Sequence, residues 1–101
     1  MTLRSGKMFS TISGLYAIAD SQWNPFHDFS SLVRKFLEGG VRIVQLRMKN
    51  SSRDEVSNHA QLVAELKKEF NFTFILNDYA DIAAEAGADG VHVGENDDPL
   101  P

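Results

Sequence analysis

From Leu15 onward, short apolar segments alternate with longer segments in which apolar residues recur at helical spacing, and this alternation constrains the fold more than any other feature. Four strands are predicted, over residues 15–20, 42–49, 73–78 and 90–94. Three helices are predicted between them, the first after Asn24-Pro25, the second after Ser52 and the third over 79–86. Strands joined by crossover helices run parallel. The order β-α-β-α-β-α-β therefore predicts an α/β fold with a parallel sheet.

Local signals place the ends of the helices. Asn24-Pro25 combines a favourable N-cap residue with a proline suited to the first helical position, and Gly39-Gly40 is typical of a helix end. Ser52 and Glu55 have the spacing of a capping box, in which each side chain accepts a hydrogen bond from the backbone N–H of the other residue. Gly87 ends the third predicted helix. These signals support the alternation of strands and helices.

Composition limits the class of protein and the kind of partner. The 101 residues make one domain at most, which we divide into a loose N-terminal extension, 1–14, and a domain over 15–101. Because 10 basic residues face 14 acidic ones and no long run of Lys or Arg occurs, nucleic-acid binding is not expected. No segment approaches the roughly 18 apolar residues of a membrane span. Cysteine and a secretory signal are also lacking, so we expect a cytoplasmic protein with no membrane partner.

Polar side chains collect at the carboxyl ends of the predicted strands. The residues in question are Asp20, then Gln45, Arg47 and Lys49, then Asn77 and Asp78, and finally His92, Glu95 and Asp97. On the second strand Gln45, Arg47 and Lys49 alternate with apolar residues and so share one face. Ligands of parallel α/β folds bind at the carboxyl ends of the strands. The sequence therefore predicts a ligand-binding rim at one edge of the sheet.

The residue types at this rim indicate the chemistry of the ligand. Arg47 has a planar fork of donors and Lys49 a compact charge, and both suit phosphate oxygens. Asp78 and Asp97 are oxygen donors, and Mg²⁺ is typically bound by one or two carboxylates together with phosphates of the substrate. Together they favour a magnesium diphosphate site.

Each of these residues also has a purely structural interpretation. Arg47 and Lys49 are typical of a solvated strand end, Asp78 is a suitable helix cap, and His92 is typical of a core histidine. Tyr16 is expected only to pack against its neighbours. The coincidence of four polar strand ends is what favours the functional interpretation.

Three segments, GLYAIAD, EGGVRIVQLRMKN and FILNDYADIAAEAGADGVHVGENDDPL, together resemble the N-terminal half of the thiamine phosphate synthase family, also called thiamine-phosphate pyrophosphorylase. The resemblance covers nearly the whole chain from Leu15 onward. It implies a TIM (β/α)₈ barrel of which this chain has about half, four parallel strands and three helices. A complete barrel typically needs about 250 residues. We therefore expect an incomplete active site and open sheet edges on the first and fourth strands.

The resemblance implies a transferase of thiamine biosynthesis, which couples an aminopyrimidine methyl diphosphate to a thiazole phosphate and releases diphosphate. It implies a substrate-binding set of Gln45, Arg47, Lys49 and Asn77. Arg47 and Lys49 would be catalytic, through neutralisation of the charge on the leaving diphosphate. Asp78 and Asp97 would bind Mg²⁺ as the cofactor. The implied partners are these small-molecule substrates, and either a second copy of the chain or a complementing C-terminal half.

Two departures from the family pattern accompany the resemblance. The family commonly has Gly-Gln-Glu-Asp after the fourth strand, where this chain has Gly-Glu-Asn-Asp and so retains Asp97. Met48 stands where an acidic residue is frequent. Two alternatives stay open: a thiazole tautomerase-like relative, which shares the barrel without needing the diphosphate and metal residues, and a non-catalytic half-barrel fragment or assembly module.

Overall fold

The computed structural model describes the backbone of residues 2–3, 6–11, 14–23 and 28–93, and the side chains of residues 16–22 and 28–93. Its sheet consists of six strands, β1 (Thr2–Leu3), β2 (Gly6–Thr11), β3 (Gly14–Asp20), β4 (Val41–Arg47), β5 (Thr73–Asn77) and β6 (Gly90–His92). Three α-helices accompany it, α1 (Phe29–Glu38), α2 (Arg53–Glu65) and α3 (Ala80–Ala86). Short 3-10 turns follow β3 and α2, at Ser21–Trp23 and Leu66–Lys68.

The last four strands form the predicted parallel sheet. β3 pairs with β4, β4 with β5 and β5 with β6, all parallel and in chain order. The register places Asp20 opposite Arg47, and Asn77 opposite His92. Four parallel strands and three helices confirm the predicted α/β fold and are consistent with part of a TIM-type barrel. The register also brings the polar strand ends to one edge of the sheet.

The N-terminal segment differs from the expectation. β2 pairs antiparallel with β3 over its whole length, from Gly6 opposite Ala19 to Thr11 opposite Gly14, and β1 pairs antiparallel with β2. The expected loose extension and the open edge on the first parallel strand are therefore wrong. The edge of β3 offers unpaired backbone groups, and β2 satisfies them. The domain boundary after residue 14 stays a prediction.

The helix ends follow local capping chemistry. Asn24-Pro25 lies outside the described residues, and α1 begins four residues later, at Phe29, with the Asp28 carboxylate accepting from Ser31 N at 3.3 Å. The capping box at α2 is confirmed, because Ser52 Oγ accepts from Glu55 N at 3.1 Å and Glu55 Oε1 accepts from Ser52 N at 3.0 Å. Gly87 ends α3 with a positive φ of 87°, as a C-cap glycine does.

The core lies between one face of the sheet and the three helices. The strands contribute the buried residues Ala17, Ala19, Val44, Leu46, Phe74 and Leu76. The helices contribute Phe29, Val33, Phe36, Leu37, Val56, Ala60, Val63, Ile82 and Ala83. Since alternate residues of a strand point to opposite faces, burial of Val44 and Leu46 directs Gln45 and Arg47 to the other face. Among the described residues, no helix combines the length and the apolar character needed to cross a membrane.

Candidate functional site at the carboxyl ends of the strands

An ion pair joins the carboxyl ends of the first two parallel strands. Arg47 Nη1 donates to Asp20 Oδ2 at 3.0 Å, directly across the β3–β4 pairing. The Asp20 side chain is 9% exposed and that of Arg47 is 27% exposed. The other carboxylate oxygen, Oδ1, accepts from Gln22 N at 2.9 Å. Because the carboxylate is buried and bonded through both oxygens, it gives the guanidinium a fixed anchor at the rim.

A second set of polar contacts links three strands just below the rim. Asn77 Nδ2 donates to Gln45 Oε1 at 2.9 Å, and Gln45 Nε2 donates to the hydroxyl oxygen of Tyr16. Gln45 and Asn77 are both buried, at 6% and 5% exposure. Because Gln45 accepts through Oε1 on one side and donates through Nε2 on the other, these two bonds define the orientation of its amide. Gln45 and Asn77 therefore lie in contact, whereas their part in a shared binding pocket, which the resemblance implies, stays a prediction.

Tyr16 belongs to this network, which the sequence analysis did not expect. Burial raises the pKa of the Tyr16 hydroxyl and outweighs the hydrogen bond from Gln45, which acts in the opposite direction. The phenol therefore stays neutral at physiological pH. Strand alternation places Tyr16 on the same face of β3 as Asp20. The alternation alone could therefore have assigned Tyr16 to the polar face of the sheet.

Lys49 and Asp78 approach each other at the ends of β4 and β5. Lys49 Nζ lies 3.8 Å from Asp78 Oδ2, and both side chains are about one-third exposed, at 31% and 29%. Ser21 Oγ donates to the backbone oxygen of Lys49 at 3.2 Å and so links this strand end to the one before it. The structure thus brings a predicted phosphate-binding cation close to a predicted metal ligand.

Asp78 does not cap the third helix. The N-cap position of α3 is Tyr79, whose side chain makes no capping hydrogen bond. Asn50, Asp78 and Tyr79 all have positive φ, at 65°, 65° and 59°. Such values are uncommon outside glycine, and for a bulky residue such as tyrosine they are a marked departure. Backbone strain of this kind concentrates at functional sites.

A cleft of about 590 Å³ opens beside these residues. It is lined by Ser21, Gln22, Arg47, Lys49, Asn50 and Ser51. Arg47 and Lys49 are the charged members of this lining, so the cleft is cationic. Its hydroxyl, amide and guanidinium groups can donate hydrogen bonds to an oxyanion ligand.

Only one of the two predicted metal ligands lies among the described residues. Asp78 is described, whereas Asp97, like the rim residue Glu95, lies outside the described residues. Among residues 16–22 and 28–93, no three His, Asp or Glu side chains come together as a metal site would require. His92 is exposed on β6, which contradicts its interpretation as a core histidine, and its backbone oxygen accepts from Asp78 N at 2.8 Å.

The fold and rim together define a class of protein: a parallel (β/α) unit consistent with part of a TIM-type barrel, with polar and charged side chains at one edge of its sheet. The chain belongs to the thiamine monophosphate synthase family, whose model matches residues 15–101. Thiamine-phosphate synthase of Shouchella clausii is 40% identical over 87 residues, which are 86% of this chain and 42% of that protein. The Desulfitobacterium hafniense protein of the same name is 43% identical over 86 residues, 85% of this chain and 42% of its own.

A third thiamine-phosphate synthase, from Caldivirga maquilingensis, is 39% identical over 87 residues, which are 86% of this chain and 42% of the relative. The chain thus spans about two fifths of the length of the curated relatives it matches. No solved structure matches the chain significantly.

Proposed function

We propose that this chain provides the pyrimidine diphosphate-binding part of a thiamine phosphate synthase. The complete reaction joins an aminopyrimidine methyl diphosphate to a thiazole phosphate and releases diphosphate. The observation that best supports this proposal is the cleft lined by two cations, Arg47 at the last position of β4 and Lys49 in the turn that follows. Two cations of this kind suit the several negative charges of a diphosphate.

Gln45 and Asn77 would bind the aminopyrimidine ring. Their hydrogen-bonded amides lie on the same face of the sheet as Arg47, with Gln45 two residues before Arg47 on β4 and Asn77 at the end of β5. A heteroaromatic ring with an amino group has both donors and acceptors on its edge, and side-chain amides have both as well. A ring bound there would extend its diphosphate towards the cleft at the strand ends.

Mg²⁺ would be bound by Asp78 together with Asp97. The Asp78 carboxylate is partly exposed and adjoins the proposed diphosphate site through Lys49, which fits a cation that uses one or two carboxylates and substrate phosphates. When bound, Mg²⁺ supplies additional positive charge to the diphosphate oxygens. Lys49, whose Nζ lies 3.8 Å from Asp78 Oδ2, would contact the same diphosphate.

The proposed catalysis depends on charge and position. Cleavage of the bond between the pyrimidine methylene carbon and the diphosphate leaves an electron pair on the leaving oxygen and positive charge on the methylene carbon. Arg47 and Lys49 stabilise the negative charge that develops on the leaving group. The thiazole nitrogen then attacks the methylene carbon, and Gln45 and Asn77 keep the ring oriented for that attack. Neither step removes a proton, so no general base is needed.

The remaining elements of the site would come from residues beyond this chain. The relatives are more than twice as long as the matched region, and the thiazole phosphate must be bound elsewhere in the complete protein. A complementing C-terminal half, or a second copy of the chain, would then be the macromolecular partner. The expected cytoplasmic location likewise stays a prediction.

Isothermal titration of the folded chain with the aminopyrimidine methyl diphosphate, with and without Mg²⁺, tests this proposal. We expect binding that requires Mg²⁺, and we expect Arg47→Ala and Asp78→Ala each to weaken it at least about tenfold, which is about 1.4 kcal/mol. Arg34→Ala is the matched control. Arg34 lies on α1, in the helix layer, and its side chain pairs with that of Glu69. This variant should leave the affinity unchanged.

Equal binding by the wild type, Arg47→Ala and Asp78→Ala would refute the proposed roles. A folded chain that binds no diphosphate under any condition would favour the non-catalytic half-barrel instead.

A further inference from the structure

We propose that Asp20 is a positioning residue, which orients the Arg47 guanidinium for diphosphate binding. The inference rests on the proposed function. It assigns a role to a residue whose negative charge has the same sign as that of the ligand. An acidic side chain weakens an anion-binding site by its charge alone, so its presence beside the most suitable anion-binding arginine needs a separate explanation.

The geometry of the pair provides that explanation. Asp20 is the last residue of β3 and Arg47 the last residue of β4, and the parallel register sets them directly opposite each other. Both strands are held by neighbours on each side, β2 and β4 for the first, β3 and β5 for the second. The backbone positions of the two residues are therefore fixed relative to each other, and the ion pair transfers this rigidity to the side chains.

The carboxylate is oriented independently of the arginine. Asp20 Oδ1 accepts from Gln22 N at 2.9 Å, where the chain turns at the end of β3, and Oδ2 accepts from Arg47 Nη1 at 3.0 Å. The backbone bond fixes the plane of the carboxylate before the guanidinium binds to it. At 9% exposure the Asp20 side chain is also too buried to move readily into solvent.

Arginine has a flexible side chain with a planar fork of five N–H donors, and its value in binding phosphate depends on the direction of that fork. A bond from Nη1 to Asp20 fixes one edge of the guanidinium, and with it the direction of the other N–H groups of this cleft-lining residue. Prior ordering of a side chain reduces the entropy lost when the ligand binds. Asp20 would thus improve binding even though its charge opposes it.

The two effects of Asp20 have opposite signs, and this makes the proposal testable by titration. The probe is inorganic diphosphate with Mg²⁺, and the principal variant is Asp20→Asn, which keeps the shape and the acceptor for Gln22 N but removes the charge and the acceptor for Arg47. If Asp20 positions Arg47, the variant binds diphosphate about five- to tenfold more weakly. If Asp20 acts only through its charge, the variant binds more tightly, and the proposal is overturned.

Glu69→Gln is the matched control. This substitution also removes one negative charge from a carboxylate that pairs with an arginine, here Arg34. The Glu69–Arg34 pair differs in that it lies in the helix layer and both of its side chains are substantially exposed. The affinity of this variant for diphosphate should equal that of the wild type. In an Arg47→Ala background, Asp20→Asn should cause no further loss, since its effect passes through the guanidinium; an additive loss would show that Asp20 acts by another route.

A second measurement separates failure of this inference from failure of the proposed function. The ¹⁵Nη–H signals of Arg47 in the ligand-free chain should exchange slowly with solvent in the wild type and rapidly in Asp20→Asn, because Nη1 donates to Asp20 Oδ2. If the wild type binds no diphosphate, the proposed function is refuted. The positioning role is then refuted as well, even if the Arg47 signals show an ordered Asp20–Arg47 pair. If the wild type binds diphosphate and the Arg47 signals are the same in both proteins, only the positioning role is overturned.

Discussion

Replacement of Asn77 by alanine should destabilise the chain more than the size of the deleted group suggests. The substitution removes the amide that donates to Gln45 Oε1 across 2.9 Å, between β5 and β4. Gln45 and Asn77 are only 6% and 5% exposed, so water does not readily replace the lost donor. A buried polar group that loses its partner costs about 1–3 kcal/mol, compared with roughly 1 kcal/mol for an ordinary hydrogen bond. We expect a loss of about 2 kcal/mol.

Urea unfolding followed by far-ultraviolet circular dichroism measures this loss. With a denaturant slope of about 1–3 kcal/mol per molar urea, a loss of about 2 kcal/mol lowers the unfolding midpoint by roughly 1 M. The same substitution in a Gln45→Leu background is the control, because the buried acceptor is then absent. There the cost should fall by at least about 0.5 kcal/mol, the lower end of the range typical of directly coupled residues.

Additive effects of Asn77→Ala and Gln45→Leu would refute the reasoning. They would mean that the amide pair contributes no more than the packing of its two side chains, and that the orientation of Gln45 is set by something else.

Three further outcomes follow from the structure. Ser52→Ala removes the acceptor for Glu55 N and should lower the unfolding free energy by about 1 kcal/mol, measured by urea unfolding, whereas Ser52→Asp should retain most of it. Leu46→Ala, at a fully buried position of β4, should cost about 2–5 kcal/mol in the same assay. For Tyr16 the raised pKa means that the folded chain retains the phenolic proton longer than the unfolded chain does, so the resulting stabilisation is complete below about pH 10 and is lost as pH rises through the folded-state pKa. Above about pH 10 the unfolding free energy of the wild type should therefore fall relative to that of Tyr16→Phe, which has no hydroxyl to titrate.

The parallel part of the fold could be predicted from the sequence because its signals are local. Strand and helix periodicity, the Ser52–Glu55 capping box and Gly87 each act within a few residues, and each occurs in the structure as predicted. The pairing of β2 with β3 could not be predicted in the same way. It depends on an edge of the sheet that exists only once β3 is in place, and residues 6–11 have a weak strand signal of their own.

The site was predicted in outline and not in its contacts. Parallel strands bring their carboxyl ends to one edge, so the approach of Lys49 to Asp78 follows from the order of elements. The pairing of Arg47 with Asp20 depends on the register of β3 against β4, which a sequence pattern does not specify. The exposure of His92 likewise depends on its place on β6, an end strand of the described sheet.

The left-handed backbone at Asn50, Asp78 and Tyr79 limits how this rim can change during evolution. Residues other than glycine, asparagine and aspartate pay a steric penalty at positive φ, and β-branched residues pay the most. Asp78 would therefore persist in descendants of this sequence for two separate reasons, the backbone and the proposed metal. Asparagine would tolerate the backbone conformation but would lack the charge needed for the proposed metal. The frequency of asparagine at position 78 among active and inactive descendants would therefore measure how strongly selection acts on the charge itself.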